Sequence, residues 1–404
     1  MIRKRIALVT TYFPPQNGVA VNRMEAFAAY LSDDFEVEIF SLTQSKSYVG
    51  SYLNVKVNFI QSNSIFERLA DKQEDGVLWH KVKTGIRIVL AQFISSPLKK
   101  WMNRTKKELV SSHLKKPFDA IITSFSPEET HLIGVDFKKE FQNVQWIADM
   151  RDEMSKNPFI NEKRKQKLQS IEMLVNEFAD ALTTVSEPIL TDFKTICSKI
   201  QNFCEVRNGY NHALVEKFLG HSPNNKDIIK IGYFGTFYGK IKPDTFFDAI
   251  QRSEFNNYEI HLYGVHSNFI IPSELSDKVF VHPKVPYIEA LTKMNEMDFN
   301  LFVHPRSERK GVYTGKLFDY ISAAKPILAC VDKDDVAAKM IEEFDCGYIA
   351  EFSEVSEIQK QLSLAFTDFN QGVRKCASKE NIESIHRKNE VNKLKELIVK
   401  LTVK

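Results

Sequence analysis

Short apolar runs alternate along the chain with longer stretches in which apolar residues recur at helical spacing. The short runs read as buried strands, and their alternation with amphipathic helices implies parallel sheets joined by helical crossovers. In the first half, strands are expected at Arg5–Thr10, Glu36–Ser41, Ala120–Ser124, Gln145–Ala148, Ala181–Val185 and Cys204–Val206. In the second half they are expected at Ile228–Gly232, Glu259–Gly264, Val279–His282, Phe299–Val303, Ile327–Val331 and Gly347–Ala350. Two sets of about six strands fit two doubly wound domains. The polar segment His221–Asp227, with proline and asparagines, reads as the linker between them. Ile382, Ile385, Leu394, Leu397 and Leu401 recur near helical spacing and predict a closing helix. The expected domains are therefore 1–220 and 228–380, followed by a helix over 381–404.

A chain of 404 residues is long enough for two such domains. Its net charge of +3 excludes nucleic-acid binding by bulk charge, and its five cysteines, irregularly spaced, argue against a disulfide framework. The apolar part of MIRKRIALVTTYF is too short for a signal peptide, and no apolar run reaches the roughly 20 residues that span a bilayer. The cytoplasm is the default compartment.

Three loops carry candidate chemistry. The segment Gly311–Ala329 reads GVYTGKLFDYISAAKPILA: a small-residue loop opens a helix bearing Lys316 and Asp319, and Lys325-Pro326 ends it before an apolar strand. A helix N-terminus with a Lys in its first turn suits a diphosphate, and a carboxylate one turn on suits ribose hydroxyls. An ordinary loop–helix–strand unit would have the same outline. The first strand leads into Thr11–Ala20, TYFPPQNGVA, where Gly18 allows close backbone approach to a ligand; an ordinary strand–helix connection is the alternative. After Gln145–Ala148 comes Asp149-Met150-Arg151-Asp152, three ionisable groups at the carboxyl end of a strand. They either pair among themselves or serve a cleft.

These segments resemble the glycosyltransferases of the GT-B fold, in particular the retaining nucleotide-sugar enzymes of group 1. The family's K-x-x-E-Y-x-A-x-G-K-P-V motif matches from Lys316 to Ile327, with Asp319 for the usual Glu, Ser322 for the first Ala and Ala324 for the Gly. The upstream Glu of the family's pair is absent, since Gly311 stands there. Tyr12–Ala20 resembles the family's Y-F-P-P-x-x-G loop, and Asp149–Asp152 its D-x-R-D cluster. Ala179–Glu187 and Val206–Asn211 resemble its A-D-x-x-x-x-V-S and N-G-x-D turns. Tyr233–Lys240 matches the loop opening the donor domain, with Thr236 for the usual Arg, and His261–Gly264 and Val285–Tyr287 match base-contacting loops.

The resemblance implies two Rossmann-like doubly wound α/β domains facing across a cleft, with the C-terminal helix packing back toward the N-terminal domain. It implies transfer of a sugar from a UDP- or GDP-linked donor to a saccharide or lipid-linked acceptor in cell-surface polysaccharide synthesis. No cofactor or metal is implied; Asp332-Lys333-Asp334 has the letters of a metal motif but is expected to be a loop. Donor binding would fall to Gly18, Gly235, Thr236, Lys240, Tyr263, Gly315, Lys316, Leu317 and Asp319. Catalysis on the acceptor side would fall to Asp149, Arg151 and Asp152. Two rivals remain open: a nucleotide-sugar 2-epimerase of the same architecture, and a non-catalytic saccharide-binding protein on a decayed glycosyltransferase fold.

The resemblance is thin from Gln44 to Lys116, where residues 79–116 hold ten Lys or Arg and one acid, Glu108, interleaved with Trp79, Ile86, Phe93, Leu98 and Trp101. Basic, aromatic-rich segments of this kind lie on anionic membrane surfaces. Attachment to the inner face of the membrane and a solvated helix with a core-facing stripe both fit; nucleic acid finds no other support.

Overall fold

Central strands buried at every position, with alternate side chains on opposite faces, give each half of the chain a sheet with a core on both faces. The computed structural model describes residues 3–43, 46–62, 98–219, 228–237, 241–265 and 269–403. The chain forms two compact units, Met1–Val206 with Val391–Lys404, and Arg207–Glu390. The linker expected at His221–Asp227 lies outside the described residues.

The first unit runs β1 (Arg5–Thr10), α1 (Val19–Leu31), β2 (Glu36–Thr43), β3 (Tyr48–Tyr52), β4 (Val55–Gln61), α2 (Lys99–Lys115), β5 (Ala120–Phe125), α3 (Glu129–Glu140), β6 (Gln145–Met150), α4 (Glu162–Phe178), β7 (Ala181–Thr184), α5 (Glu187–Ile196) and β8 (Asn202–Glu205). The sheet order is β3-β4-β2-β1-β5-β6-β7-β8. Described pairings are parallel except β3 with β4. Alternate residues of β1 serve opposite cores: Ala7 and Val9 one, Ile6 and Leu8 the other. The sheet therefore has eight strands where six were expected. The hairpin β3–β4 was missed because it falls in the segment of thin resemblance, and because β3 is an edge strand with Tyr48 and Val49 exposed, so it lacks an apolar run. Its turn puts Leu53 and Asn54 at positive φ.

Part of the basic segment lies in the same region. Residues 79–97 lie outside the described residues, but α2 shows a clear division. Trp101, Thr105 and Leu109 are fully buried, whereas Lys99, Lys100, Arg104 and Lys107 face solvent. Trp101 is a core residue. Farther along α2 a polar network is buried: Arg5 of β1 pairs with Glu38 of β2, bonds Ser112 of α2 at 2.9 Å and lies 4.0 Å over the Phe118 ring.

The second unit contains α6 (Val215–Leu219), β9 (Ile229–Phe234), α7 (Asp244–Gln251), β10 (Tyr258–Tyr263), β11 (Val279–His282), α8 (Tyr287–Glu296), β12 (Phe299–His304), α9 (Gly315–Ser322), β13 (Ile327–Val331), α10 (Val336–Glu343), β14 (Gly347–Glu351), α11 (Val355–Asn370) and α12 (Lys379–Ser384). Its six strands are parallel, in the order β11-β10-β9-β12-β13-β14. The closing segment is two helices rather than one. After α12, Arg387 N–H bonds Tyr210 O at 2.9 Å, and α13 (Arg387–Thr402) then begins. Ile382 and Ile385 belong to the core of the second unit; Val391, Leu394, Leu397 and Ile398 belong to that of the first.

Packing is tight enough that one methyl group matters. A Cβ on Gly134 of α3 would lie 2.3 Å from Trp146, whose indole is fully buried and donates to Thr123 Oγ1 at 2.9 Å. Helix propensity alone favours Ala over Gly by roughly 1 kcal/mol, but a locked ring cannot yield, and overpacking costs about 1–3 kcal/mol. Gly134→Ala is therefore expected to destabilise the protein, read as a lower urea midpoint at unchanged m; a raised midpoint would show that the ring shifts freely.

Candidate functional site

In an open parallel sheet, ligands bind outside the carboxyl ends of the strands where the order reverses. The order reverses at β1/β5 in the first unit and at β9/β12 in the second. The loops singled out in the sequence leave those strands or their immediate neighbours.

In the first unit, Gly18 is the residue before α1, with φ of 136° and open space where a Cβ would stand. Four residues after α1 begins, Arg23 turns inward. Its guanidinium grips Asp149, Nη2 to Oδ1 at 2.6 Å and Nε to Oδ2 at 3.1 Å, and bonds Val206 O at 2.6 Å. Ser124 and Thr183 each donate to Asp149 at 2.8 Å. Burial alone would raise the Asp149 carboxyl, but the Arg23 charge and these donors hold it below its usual value. Asp149 is fully buried with four donors on its two oxygens, so it offers no open face to an acceptor. Its place is beneath the site, tying α1, β5, β6 and β7 together. The sequence signal for Arg23 is a lone cation beside Met24 and Phe27 on an apolar helix face.

Arg151 and Asp152 lie above this pair and are partly exposed. Arg151 donates through Nε to Phe125 O at 2.5 Å, and its guanidinium lies 5.2 Å from the Tyr12 ring centroid. The end of β6 and the loop after β1 are thus brought together. Burial lowers the Arg151 pKa, while the charges of Asp152 and Asp149 oppose that.

In the second unit, β9 ends in Gly235, with φ of 126°. Its N–H bonds Tyr263 O at 2.9 Å, and Thr236 Oγ1 donates to Gly264 O at 3.3 Å. A Cβ here would lie 3.1 Å from both Cε and Nζ of Lys316, so glycine leaves room for that side chain. Lys316 is the second residue of α9, and its ammonium lies 3.9 Å from the centroid of the buried Tyr233 ring. It has no hydrogen-bond or ion-pair partner among the described residues. Burial lowers its pKa to about 7. Thr314, before α9, and His304, at the end of β12, add the enclosed atoms Oγ1 and Nδ1, also without hydrogen-bond partners among the described residues. Neither was singled out from the sequence, because an unmet hydrogen bond has no sequence signature. Asp332 lies in the loop after β13, as expected, and is buried there and paired with Lys310.

One turn beyond Lys316, Asp319 accepts a hydrogen bond from Tyr287 at 2.7 Å. Burial pushes its carboxyl up to about 6, against that bond and the charge of Arg387. Gly315 opens α9 at the same edge. Tyr263 packs in the core, stacked on Phe234 at 4.7 Å and on His282 at 4.3 Å, and Leu317 is fully buried. Their side chains thus line the support of the site. Lys240 lies outside the described residues. The resulting edge has a helix N-terminus, an unmatched lysine and unmet polar atoms, an arrangement suited to an anionic group.

No family model and no curated protein sequence matches the chain. Solved structures do. A glycosyltransferase from Rickettsia africae superposes with a TM-score of 0.64 at 12% identity, covering 99% of each chain. Sucrose-phosphate synthase from Thermosynechococcus elongatus gives 0.61 at 13% identity, covering 99% of this chain and 97% of its own. HepE from Anabaena, in complex with UDP, gives 0.56 at 11% identity, covering 99% and 97%. A likeness over nearly the whole chain at such identity is one of fold: two Rossmann-like domains of the GT-B type.

The Arg23–Asp149 pair has a direct test. Removing one partner of a buried ion pair leaves the other uncompensated, at a cost of about 3–5 kcal/mol. Asp149→Asn should lose that much stability by urea unfolding at pH 7. The folded-state pKa is depressed, so the stabilisation is fully present above the unfolded value, roughly 3.9. The gap between parent and variant should hold through mild acid and close only as pH falls below that value through the folded pKa. Equal stability at pH 7 would show the pair to be dispensable.

Proposed function

We propose that the chain is a glycosyltransferase that moves a sugar from a UDP- or GDP-linked donor to a saccharide or lipid-linked acceptor in cell-surface polysaccharide synthesis. The observation that carries this is Lys316: an enclosed cation without a hydrogen-bonding partner among the described residues, lying over Gly235 at the N-terminus of α9, at the switch point of the second sheet. A buried charge left unmatched destabilises the free protein. A donor diphosphate would match it.

The chemistry then follows from the charges. As the bond between the anomeric carbon and the diphosphate breaks, negative charge develops on the leaving oxygen. In this reading Lys316 and the N-terminal amides of α9 stabilise it, with Lys240 given the same task from the sequence alone, and preorganised charge of this kind costs no reorganisation during the reaction. Asp319 takes the ribose, while Gly235, Thr236, Gly315 and the Tyr263 and Leu317 supports shape the edge. On the first unit, Gly18, Arg151 and Asp152 hold the acceptor, with Asp149 locking their frame. The leaving phosphate receives the acceptor proton in a retaining transfer. No step calls on a metal, and turnover is expected to survive EDTA.

A nucleotide-sugar 2-epimerase would use the same donor edge but would convert its substrate without an acceptor. A screen of UDP- and GDP-sugars, following diphosphate release with and without an acceptor lipid extract, separates the two. Acceptor-dependent release supports transfer; conversion without acceptor supports the epimerase; binding without turnover supports a saccharide-binding protein.

Two expected outcomes follow. Lys316→Ala should weaken nucleotide diphosphate binding and slow turnover roughly tenfold or more, since a charge-assisted hydrogen bond contributes about 1.5–3 kcal/mol. With the free ammonium titrating near 7, diphosphate binding above that pH must recruit a proton. Calorimetry of the parent at pH 8 should show proton uptake that the variant lacks; equal affinity and equal uptake would move the diphosphate elsewhere.

The second concerns the acceptor. No helix among the described residues is long and apolar enough to cross a membrane. The solvent face of α2 carries Lys99, Lys100, Arg104 and Lys107, with Leu114 71% exposed at its far end. We assign this face to an anionic bilayer, each cation adding roughly 1 kcal/mol of salt-screened attraction. Replacing these four and Lys106 by Gln should abolish flotation with anionic vesicles and leave diphosphate binding intact. Equal flotation of parent and variant, or none by either, would reduce the face to a solvated one.

A further inference from the structure

Asp319 shares its position with a second polar group. Tyr287 opens α8 and donates its phenolic hydroxyl to Asp319 Oδ1 at 2.7 Å. The two helices leave different strands: α8 follows β11 at the sheet edge, and α9 follows β12 near its centre. Pro286, with φ of −56°, sets the entry of α8 and so the direction of Tyr287. Tyr287 as a whole residue is 48% exposed. Asp319 Oδ2 has no hydrogen-bond partner among the described residues. Other titratable groups beside Asp319 are Arg387 at the start of α13, whose charge reaches both residues, and Tyr320 on α9, whose oxygen accepts from Phe234 N–H at 2.9 Å. Lys316 stands one turn earlier on the same helix.

We propose that Tyr287 and Asp319 form a two-part clamp for a vicinal diol, the ribose of the donor nucleotide. This rests on the donor site described above. One ribose hydroxyl donates to Asp319 Oδ2. Its neighbour donates to the Tyr287 oxygen, whose own proton is committed to Oδ1. An aspartate is one methylene shorter than the glutamate usual at this place in the resembling family, and the phenol supplies the reach that the shorter side chain lacks. The hydrogen bond has a second effect. Burial works against the Asp319 carboxylate, and the phenol is the donor that keeps it ionised and aimed.

The test is calorimetry with UDP and GDP, each beside its 2′-deoxy and 3′-deoxy counterpart, on the parent, Tyr287→Phe and Asp319→Asn. The parent should bind the ribonucleotide about tenfold more tightly than each deoxy form, the worth of one hydrogen bond. Tyr287→Phe should lose discrimination at one hydroxyl and keep it at the other; Asp319→Asn should lose it at the hydroxyl that Tyr287→Phe retains. The pH profile is the second readout. Parent affinity should rise as pH climbs through about 6, where the Asp319 carboxyl ionises, and Tyr287→Phe should shift that rise to higher pH because the carboxylate has lost its donor. Ionisation of the diphosphate is common to both proteins and cancels in the comparison. Full discrimination at both hydroxyls by Tyr287→Phe, with an unshifted profile, would overturn the clamp while leaving the donor site standing. Failure of the parent to bind either diphosphate would overturn the donor site, and the clamp with it.

Discussion

A cation and an anion removed from water must find each other, and in the first unit that requirement organises the site. Arg23 and Asp149 have side chains 2% and 0% exposed, and their nearest atoms are 2.6 Å apart. Two hydroxyls from neighbouring strands and one carbonyl complete the set. Because each partner would be costly alone, the pair holds α1 against the ends of β5, β6 and β7. The loop after β1 and the turn after β6 can then present Gly18, Arg151 and Asp152 from fixed supports.

The second unit has a switch point of the same kind and the opposite electrostatics. Its switch point keeps Lys316 enclosed without a carboxylate, and leaves Thr314 Oγ1 and His304 Nδ1 unmet among the described residues. Structures generally satisfy their buried polar atoms, so two unmet atoms beside an unpaired lysine fit the proposed donor. The contrast assigns different tasks to the two edges. A saturated ion pair stiffens, and an unsaturated cluster suits the proposed ligand.

The same logic separates Asp149 from Asp319. Asp149 stands on core strand β6 and Asp319 on helix α9. Asp149 is surrounded by donors and lies below its usual pKa; Asp319 has one donor and lies above it, at about 6. A carboxylate with a free oxygen can still accept from a substrate, whereas one with every lone pair occupied cannot. The number of donors each has met decides which of them can touch a ligand.

Much of the fold was legible along the chain, because parallel strands buried on both faces must be apolar throughout. Arg5–Thr10, Val279–His282 and Ile327–Val331 are seen over the ranges expected. The edge hairpin β3–β4 was not legible, since an exposed strand needs no apolar run, and neither was the break between α12 and α13. There, helical spacing continues through Ile385 while the backbone leaves the helix to meet Tyr210. For the candidate site, the sequence by itself determined which residue types stand at the strand ends and helix starts: glycine at 18 and 235, lysine at 316, carboxylates at 149 and 319. Only the tertiary structure decided which charges are matched. Pairing joins residues as distant as Arg23 and Asp149, or Tyr287 and Asp319, and depends on which strands become neighbours in the sheet. Local sequence carries no information about that choice; burial and distance settle it.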